Sequence, residues 1–197
     1  MEKENVRKLT SFFYEIGTLR KIARAHQQAL LIQDLSDNIA SHSFRAALIG
    51  YFIAKELKAD ADKVLKMCLL HDIEETRSGD QNWIHKRYVK VFEEEIREEQ
   101  LESLLNSEEL KELSKEYQER KTLEAKIAKD ADLLDEHFLL KEYQMQGSKE
   151  AEDWLRIEGV SEQERLMSTD LAKEIAKEAK GQNPSLWWKS LWTSNRR

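Results

Sequence analysis

The sequence predicts an all-α fold, because helix breakers are scarce, charge is abundant and apolar residues recur at helical spacing. Only six of the 197 residues are glycine, and Pro184 is the single proline. Charged residues make up 36% of the chain and apolar residues 40%, a composition that favours long helices joined by short loops. The length suits one domain with its own core. We therefore expect a single compact helical bundle with additional helices at its C-terminal end.

Two helices are predicted in the N-terminal part of the chain. Apolar residues recur at helical spacing over 9–16, and a second short helix is predicted over 21–32. The polar run 36–38 then offers side chains that can cap a helix predicted over about 39–57. His42 lies in the first turns of that helix.

The next predicted helix is apolar almost all round, which indicates a buried core element. Asp60 or Asp62 can cap it, and nearly all residues from 64 to 70 are apolar. It ends in the polar pair His71 and Asp72, and polar side chains at a buried helix end are unfavourable unless they have partners.

A turn is predicted around Gly79, which can adopt the positive φ that ends a helix. Another helix should begin near Asn82. Charged residues mixed with leucines over 92–120 predict one or two solvated amphipathic helices without a catalytic side chain. A long helix is predicted over 122–146, with Asp132 in its middle.

Charge and cysteine content exclude several classes of protein. The formal net charge is −6, so there is no basic surface of the kind that a duplex nucleic-acid partner requires. Charges interrupt the N-terminal segment and no apolar run could span a bilayer, so neither a signal peptide nor a membrane partner is expected. Cys68 has no second cysteine to pair with, which fits a packed thiol, a reducing compartment and a cytoplasmic location.

The polar end of the apolar helix has the residue types that phosphate-ester hydrolysis needs. That reaction requires a polarised phosphoryl oxygen and a hydroxide at neutral pH, and a divalent metal held by imidazole and carboxylate ligands supplies both. His71 and Asp72 end a rigid helix, and Glu75 follows one turn later. The sequence therefore indicates a metal site with a carboxylate beside it.

An ordered set of residues resembles the H…HD…D pattern of the HD superfamily of phosphohydrolases: His42, His71, Asp72 and Asp132. Three segments are similar to the core blocks of the 5′-deoxynucleotidase-like HD branch. They read IASHSFR over 39–45, LHDIEETRSGD over 70–80 and AKDADL over 128–133. The resemblance spans residues 19–143. It implies one HD domain, with its core at about 19–146 and a C-terminal helical extension at about 147–197.

The resemblance also implies roles for individual residues. The four residues of the pattern would bind one divalent ion, and Mn²⁺, Co²⁺, Fe²⁺, Ni²⁺ or Zn²⁺ would each suit such a ligand set. Glu75 would orient or deprotonate the attacking water, and Asp80 would handle a proton on the nucleophile or the leaving oxygen. Arg24 would grip the phosphate, since a guanidinium matches phosphate geometry.

Other polar residues near these positions have simpler interpretations. At 3.6 residues per turn, Asp130 and Asp135 are expected to point away from Asp132, toward solvent or toward residues that support the site. Arg45 follows His42 by one turn, and pairing with a ligand carboxylate is favoured over contact with phosphate.

The remaining histidines and tryptophans carry no predicted chemistry. His26, His85 and His137 are interpreted as solvated residues, although His85 could reach a substrate. A tail cluster of tryptophans could stack on a base, but it more often docks its helix or forms a dimer contact. The cluster comprises Trp187, Trp188 and Trp192.

The function that the resemblance implies is metal-dependent release of phosphate from a 5′-deoxynucleoside monophosphate, in a homodimer. No base preference is inferred, because Ala25, His26 and Gln27 follow Arg24 where relatives often have an aromatic residue. One alternative keeps the metal but acts on a nucleoside triphosphate, an alarmone or a cyclic dinucleotide. Another is a non-catalytic module that senses a nucleotide or scaffolds a partner.

Overall fold

The computed structural model describes residues 3–102, 104–105, 107–156, 161–189 and 191. Within these ranges the chain is helical, and extended pairing is limited to an isolated bridge between Ala23 and Asn38. The all-α prediction is therefore confirmed. No helix in the described part of the chain has both the length and the apolar character needed to cross a membrane.

The helices occur in the following order. They are α1 (Lys3–Ile16), a 3₁₀ helix (Gly17–Lys21), α2 (Gln27–Leu30), α3 (Ile39–Glu56), α4 (Ala61–Leu70), α5 (Glu75–Ser78), α6 (Trp83–Tyr88), α7 (Glu93–Glu102), α8 (Ser107–Glu119), α9 (Leu123–Met145), α10 (Lys149–Arg156), α11 (Glu162–Leu166), α12 (Asp170–Gly181) and α13 (Leu186–Lys189).

Side-chain caps start the helices that position the site. Asn38 accepts a hydrogen bond from the backbone N–H of Ser41 at the start of α3, and Asp60 does the same for α4. Asn82 caps α6 and Thr122 caps α9. Each cap satisfies backbone donors that a helix start leaves free, so the predicted starts of these helices are confirmed.

The main core lies where α3, α4 and α9 pack together, and small residues allow these helices to approach closely. A Cβ atom placed on Gly50 of α3 would lie 2.9 Å from Val64 Cγ1, 3.0 Å from Cys68 Sγ and 3.3 Å from Ala131 Cβ. Cys68 is buried in this core, as the sequence predicted. The first turns of α3, the end of α4 and the middle of α9 are thereby held side by side.

The predicted helix over 21–32 is wrong for most of its length. Residues 22–26 are not helical, because their backbone pairs with the segment that precedes α3. The N–H of Arg24 donates to the carbonyl of Asp37 at 3.2 Å, and the N–H of Ile39 donates to the carbonyl of Ile22 at 3.1 Å. Arg24 therefore lies on an extended segment that is fixed against the start of α3.

Two buried polar residues of α9 connect it by hydrogen bonds to the backbone of the C-terminal extension. Asp130 is fully buried and accepts hydrogen bonds from the N–H groups of Ser168 and Thr169, each at 2.7 Å. His137 is also fully buried, and its Nε2–H donates to the carbonyl of Ala176 at 2.9 Å. Asp130 therefore neither faces solvent nor supports the site, and the interpretation of His137 as solvated is wrong.

The segment 92–120 forms two helices, α7 and α8, and one face of each is buried. At the C-terminal end, Trp187 is 73% exposed and Trp188 is 48% exposed. Trp192 lies outside the described residues. Trp187 nevertheless lines a small cavity with Phe138 of α9 and Ala179 of α12, so docking of the helix and a dimer contact both stay predictions for the cluster.

Substitution Gly50→Ala should lower the free energy of unfolding by about 1–2 kcal/mol. The added methyl group overpacks the contact of three helices, and the better helix propensity of alanine offsets only part of this cost. Urea denaturation measures the change. Gly181→Ala is the matched control, since nothing lies within 4 Å of a Cβ placed there. Equal stability of the Gly50 variant and the wild type would contradict the close approach.

Candidate metal centre and active site

The packing of three helices brings the predicted metal ligands to one place. His42 lies one turn into α3, His71 and Asp72 follow directly after α4, and Asp132 lies midway along α9. Both imidazoles are buried. His42, the adjacent pair His71 and Asp72, and Asp132 lie far apart in the sequence, so their convergence depends on the core that α3, α4 and α9 share.

The potential ligand atoms of these side chains are close together. His42 Nε2 lies 3.2 Å from His71 Nε2 and 3.5 Å from Asp72 Oδ2, and His71 Nε2 lies 3.1 Å from Asp72 Oδ2. These three residues form a group that could hold a metal ion. Asp132 Oδ1 lies 3.2 Å from His42 Nε2 and 3.9 Å from His71 Nε2.

Hydrogen bonds at the far side of each ring orient the two imidazoles. The Nδ1 of His71 donates to the carbonyl oxygen of Cys68 at 2.7 Å, and the Nδ1 of His42 lies 2.5 Å from Asp135 Oδ2. With Nδ1 as the donor, Nε2 of each ring presents its lone pair to the cluster. Two such nitrogens and two carboxylates fit a divalent transition-metal ion without selecting one metal.

Burial and neighbouring charges shift the pKa values of the side chains in the cluster. Burial and Arg24 lower the pKa of His42, but hydrogen bonds to Asp132 and Asp135 outweigh them and leave it raised. Burial also lowers the pKa of His71, yet Asp72 and Asp132 hold it well above its usual range. Burial raises the pKa of Asp72, but the charge of His71 brings it down to about 2. These shifts all favour ionised carboxylates beside the two imidazoles.

Glu75 lies at the start of α5, one turn after Asp72. Burial, followed by repulsion from Asp72 and Asp80, raises the pKa of this carboxyl to about 10. Its Oε2 is buried without a hydrogen-bond partner among the residues described. Glu75 thus has a strong affinity for a proton next to the cluster.

Arg24 and Asp80 form an ion pair in the lining of the same cavity. Arg24 Nε lies 3.6 Å from Asp80 Oδ2, too far for a hydrogen bond, and has no other partner in the described part of the chain. Burial lowers the pKa of Arg24, but the surrounding carboxylates, Asp80 foremost, raise it above its usual value. The backbone N–H of Ala25 donates to Asp80 at 2.6 Å. Asp80 therefore holds the segment that carries the guanidinium.

A cavity of about 290 Å³ contains most of the predicted site residues. Its lining includes Arg24, His71, Asp72, Glu75, Asp80 and Asp132. His42 lies behind them against His71. His85 lies on α6 and is not among the residues that line the cavity. The structure thus brings all seven predicted site residues together around one small space.

Asp135 and Arg45 support the cluster from behind His42. Asp135 is buried and contacts His42 on one side and Arg45 on the other. Arg45 also pairs with Glu142 at 2.7 Å, so its carboxylate partners are not the predicted metal ligands. Of the two directions predicted for Asp135, toward solvent or toward the site's supports, the second is correct.

Two further side chains that line the cavity were not predicted, and they come from α8 and from α9. Tyr117 packs edge-on against the ring of His71, with ring centroids 5.5 Å apart. Lys129 Nζ lies 2.6 Å from Asp132 Oδ2. The spacing of Lys129 and Asp132 along a helix could have indicated their pairing, but nothing in the sequence marked Tyr117.

Comparisons with known proteins identify what the chain is similar to. The model of the family described as HD domain matches residues 16–177. Among curated proteins, 5′-deoxynucleotidase HDDC2 of Dictyostelium discoideum is 28% identical over 126 residues, which is 57% of this chain and 66% of that protein. The match thus spans slightly less than two thirds of that relative.

Solved structures share the fold over most of the chain. A conserved hypothetical protein from Pyrococcus furiosus has a TM-score of 0.68 and 29% identity, with 88% of this chain and 99% of that chain covered. A predicted metal-dependent phosphohydrolase from Magnetospirillum magnetotacticum MS-1 has a TM-score of 0.59 and 25% identity, with 90% and 96% covered.

Metal affinity should rise with pH. The pKa values of His42 and His71 are both raised, which favours their protonated forms, so a cation competes with protons for these rings and a higher pH weakens that competition. Affinity should increase by up to about tenfold per pH unit for each proton displaced. Calorimetric titration with Mn²⁺ in buffers of different ionisation enthalpy measures both effects. Affinity that stays constant with pH, without proton release, would contradict this account.

Proposed function

The chain belongs to the HD-domain family, and we propose that it is a metal-dependent phosphohydrolase that releases phosphate from 5′-deoxynucleoside monophosphates. In this proposal His42, His71, Asp72 and Asp132 hold one divalent ion. The proposal draws on the chemistry of the cavity, on its size and on the distant relative named a 5′-deoxynucleotidase.

The observation that carries the proposal is the Arg24 guanidinium beside the His and Asp cluster. The cavity is rich in carboxylates, which would repel a phosphate dianion. Arg24 is a fixed cation in this cavity, and its Nε is buried without a hydrogen bond to the described residues. A phosphate oxygen would supply the missing acceptor. Together with a divalent ion, Arg24 would make the cavity attractive to a phosphomonoester.

Each remaining site residue has a role in moving protons. A bound divalent ion supplies Lewis acidity, which lowers the pKa of the attacking water and polarises a phosphoryl oxygen. Glu75 orients this water and takes a proton from it. The positive charges of Arg24 and of a bound divalent ion would lower the pKa of the Glu75 carboxyl, so that it is ionised for this step. Asp80 holds the segment of Arg24 through the N–H of Ala25 and passes to the leaving oxygen the proton that Glu75 takes from the water, as the bond from phosphorus to the water oxygen forms and the ester bond breaks.

The size of the cavity favours a small substrate. Its volume of about 290 Å³ lies at the lower end of the range of about 300–1,000 Å³ that is usual for small-molecule sites. A nucleoside monophosphate suits this space better than an alarmone or a cyclic dinucleotide.

Phosphate release from a panel of substrates tests the proposal. Metal-stripped protein is reloaded with one ion at a time, namely Mn²⁺, Co²⁺, Mg²⁺, Ni²⁺ or Zn²⁺. It is then given ribo- and deoxyribonucleoside 5′-monophosphates, 3′-monophosphates, triphosphates and alarmones. We expect metal-dependent release from the 5′-deoxynucleotides above all others. Faster release from triphosphates or alarmones would show that these compounds, and not the 5′-deoxynucleotides, are the substrates. Stoichiometric metal binding without any release would indicate a regulatory module.

Variants of the site should separate metal binding from turnover. His71→Ala and Asp72→Ala should lose both bound metal and activity, because each removes a proposed ligand. Glu75→Gln should keep the metal and lower kcat by about 100-fold or more, since it removes only the proton acceptor. Metal content by mass spectrometry and steady-state kinetics measure the two properties.

Glu95→Gln on the exposed surface of α7 is the matched control for Glu75→Gln. It should behave as the wild type in both assays. Turnover retained by His71→Ala or by Asp72→Ala would refute the assignment of these residues as ligands.

A further inference from the structure

His26 is a buried histidine that the proposed mechanism does not use. It lies two residues after Arg24, directly before α2, and it lines the same cavity as the metal cluster. It is only 6% exposed, so its interpretation as a solvated residue is wrong. Its Nε2 lies 2.7 Å from Asp37 Oδ2.

The surroundings of Asp37 decide which nitrogen of His26 carries the proton. Asp37 Oδ2 also accepts hydrogen bonds from Gln27 Nε2 at 3.1 Å and from the Tyr143 hydroxyl at 3.2 Å. A carboxylate that accepts from its neighbours can only accept from His26 as well. The Nε2 of His26 therefore bears the hydrogen, and in the neutral ring Nδ1 is a hydrogen-bond acceptor.

This acceptor is free for a ligand. Nδ1 of His26 makes no hydrogen bond to the residues that the structure describes. The backbone on either side is fixed, because the N–H of Ala25 donates to Asp80 at 2.6 Å and Asn82 Nδ2 donates to the carbonyl of Ala25 at 3.0 Å. The position of His26 relative to Arg24 is thus set by the fold before any ligand binds.

His26 is close enough to Arg24 to contact the sugar of a substrate. Two residues of chain span at most about 7 Å, and both side chains line the same cavity, so a nucleotide whose phosphate binds Arg24 can bring its sugar to His26. A 5′-deoxynucleoside monophosphate has a phosphate ester at its 5′ oxygen and lacks a 2′ hydroxyl. Its 3′ hydroxyl is therefore the one sugar group that can donate a hydrogen bond.

We propose that Nδ1 of His26 accepts a hydrogen bond from the 3′ hydroxyl of the substrate and thereby selects substrates whose sugar carries this hydroxyl. This inference rests on the proposed function, because it needs a nucleoside phosphate in the cavity. A substrate without the hydroxyl would leave Nδ1 unsatisfied in a largely desolvated site, which disfavours its binding. Asp37 is a positioning residue, since it fixes the ring and its tautomer.

The first test compares a deoxynucleoside 5′-monophosphate with the matching 2′,3′-dideoxynucleoside 5′-monophosphate in the metal-loaded protein. His26→Gln retains an amide N–H for Asp37 and removes the acceptor at Nδ1. This variant should lower kcat/KM by roughly three- to tenfold for the deoxynucleotide and leave the value for the dideoxynucleotide unchanged. His85→Gln, outside the cavity, should change neither value.

The second test needs neither turnover nor a variant that folds. In ¹⁵N-histidine NMR of the wild-type protein, the Nδ1 resonance of His26 should shift when the deoxynucleotide binds and stay in place when the dideoxynucleotide binds. Equal shifts with both ligands, or equal losses of kcat/KM with both substrates, would overturn the assignment to the sugar.

The two proposals can fail separately. Selective NMR shifts without phosphate release would support the sugar contact while the proposed hydrolysis fails. Phosphate release from both nucleotides at equal rates by wild type and His26→Gln would uphold the hydrolysis and overturn the sugar contact. No binding of either nucleotide would overturn both.

Discussion

The close packing of α3, α4 and α9 is the constraint on which the site depends. Where Gly50 faces Val64, Cys68 and Ala131, there is no space for a further side-chain atom. Packing this tight fixes the helices relative to one another to within fractions of an ångström, because protein interiors are dense and change shape reluctantly. A metal site needs such precision, since its ligands must converge before the ion arrives. The histidines are thus positioned by an apolar core made of small residues.

The site also requires a partner for each of its buried charged side chains. Isolated buried charges are strongly disfavoured, whereas charges with partners can be retained. Here each imidazole has a partner for Nδ1, and the carboxylates of the cluster lie against the imidazoles, Lys129 or Arg24. Glu75 is the exception, because its Oε2 has no hydrogen-bond partner among the described residues. An unpartnered carboxyl beside a cation site is suited to accept a proton in a reaction.

Arg24 and His26 line the cavity but do not lie on the packed helices that carry the metal ligands. They lie on the non-helical segment 22–26, which is held by backbone pairing with the start of α3 and by Asp80 and Asn82. Residues two apart on an α-helix point to nearly opposite sides, so a helix would not readily place both Arg24 and His26 in one cavity. A non-helical segment can do so. Arg24 and His26 both line the cavity for this reason. The metal ligands and the proposed substrate contacts therefore have separate structural supports.

The sequence by itself determined the helical fold, the starts of α3, α4, α6 and α9 at their caps, and the His and Asp residues that converge in the cluster. Periodicity and cap chemistry act over a few residues, so they can be read along the chain, and the ordered His and Asp pattern singled out the cluster. Only the tertiary structure decided that residues 22–26 are not helical, that His26 is buried close to Arg24 in the chain, and that Asp135 orients His42. The physical reason is that these features arise from contacts between distant parts of the chain. His42 and Asp135 are 93 positions apart, and no local pattern encodes which side chains a fold brings together across such a distance.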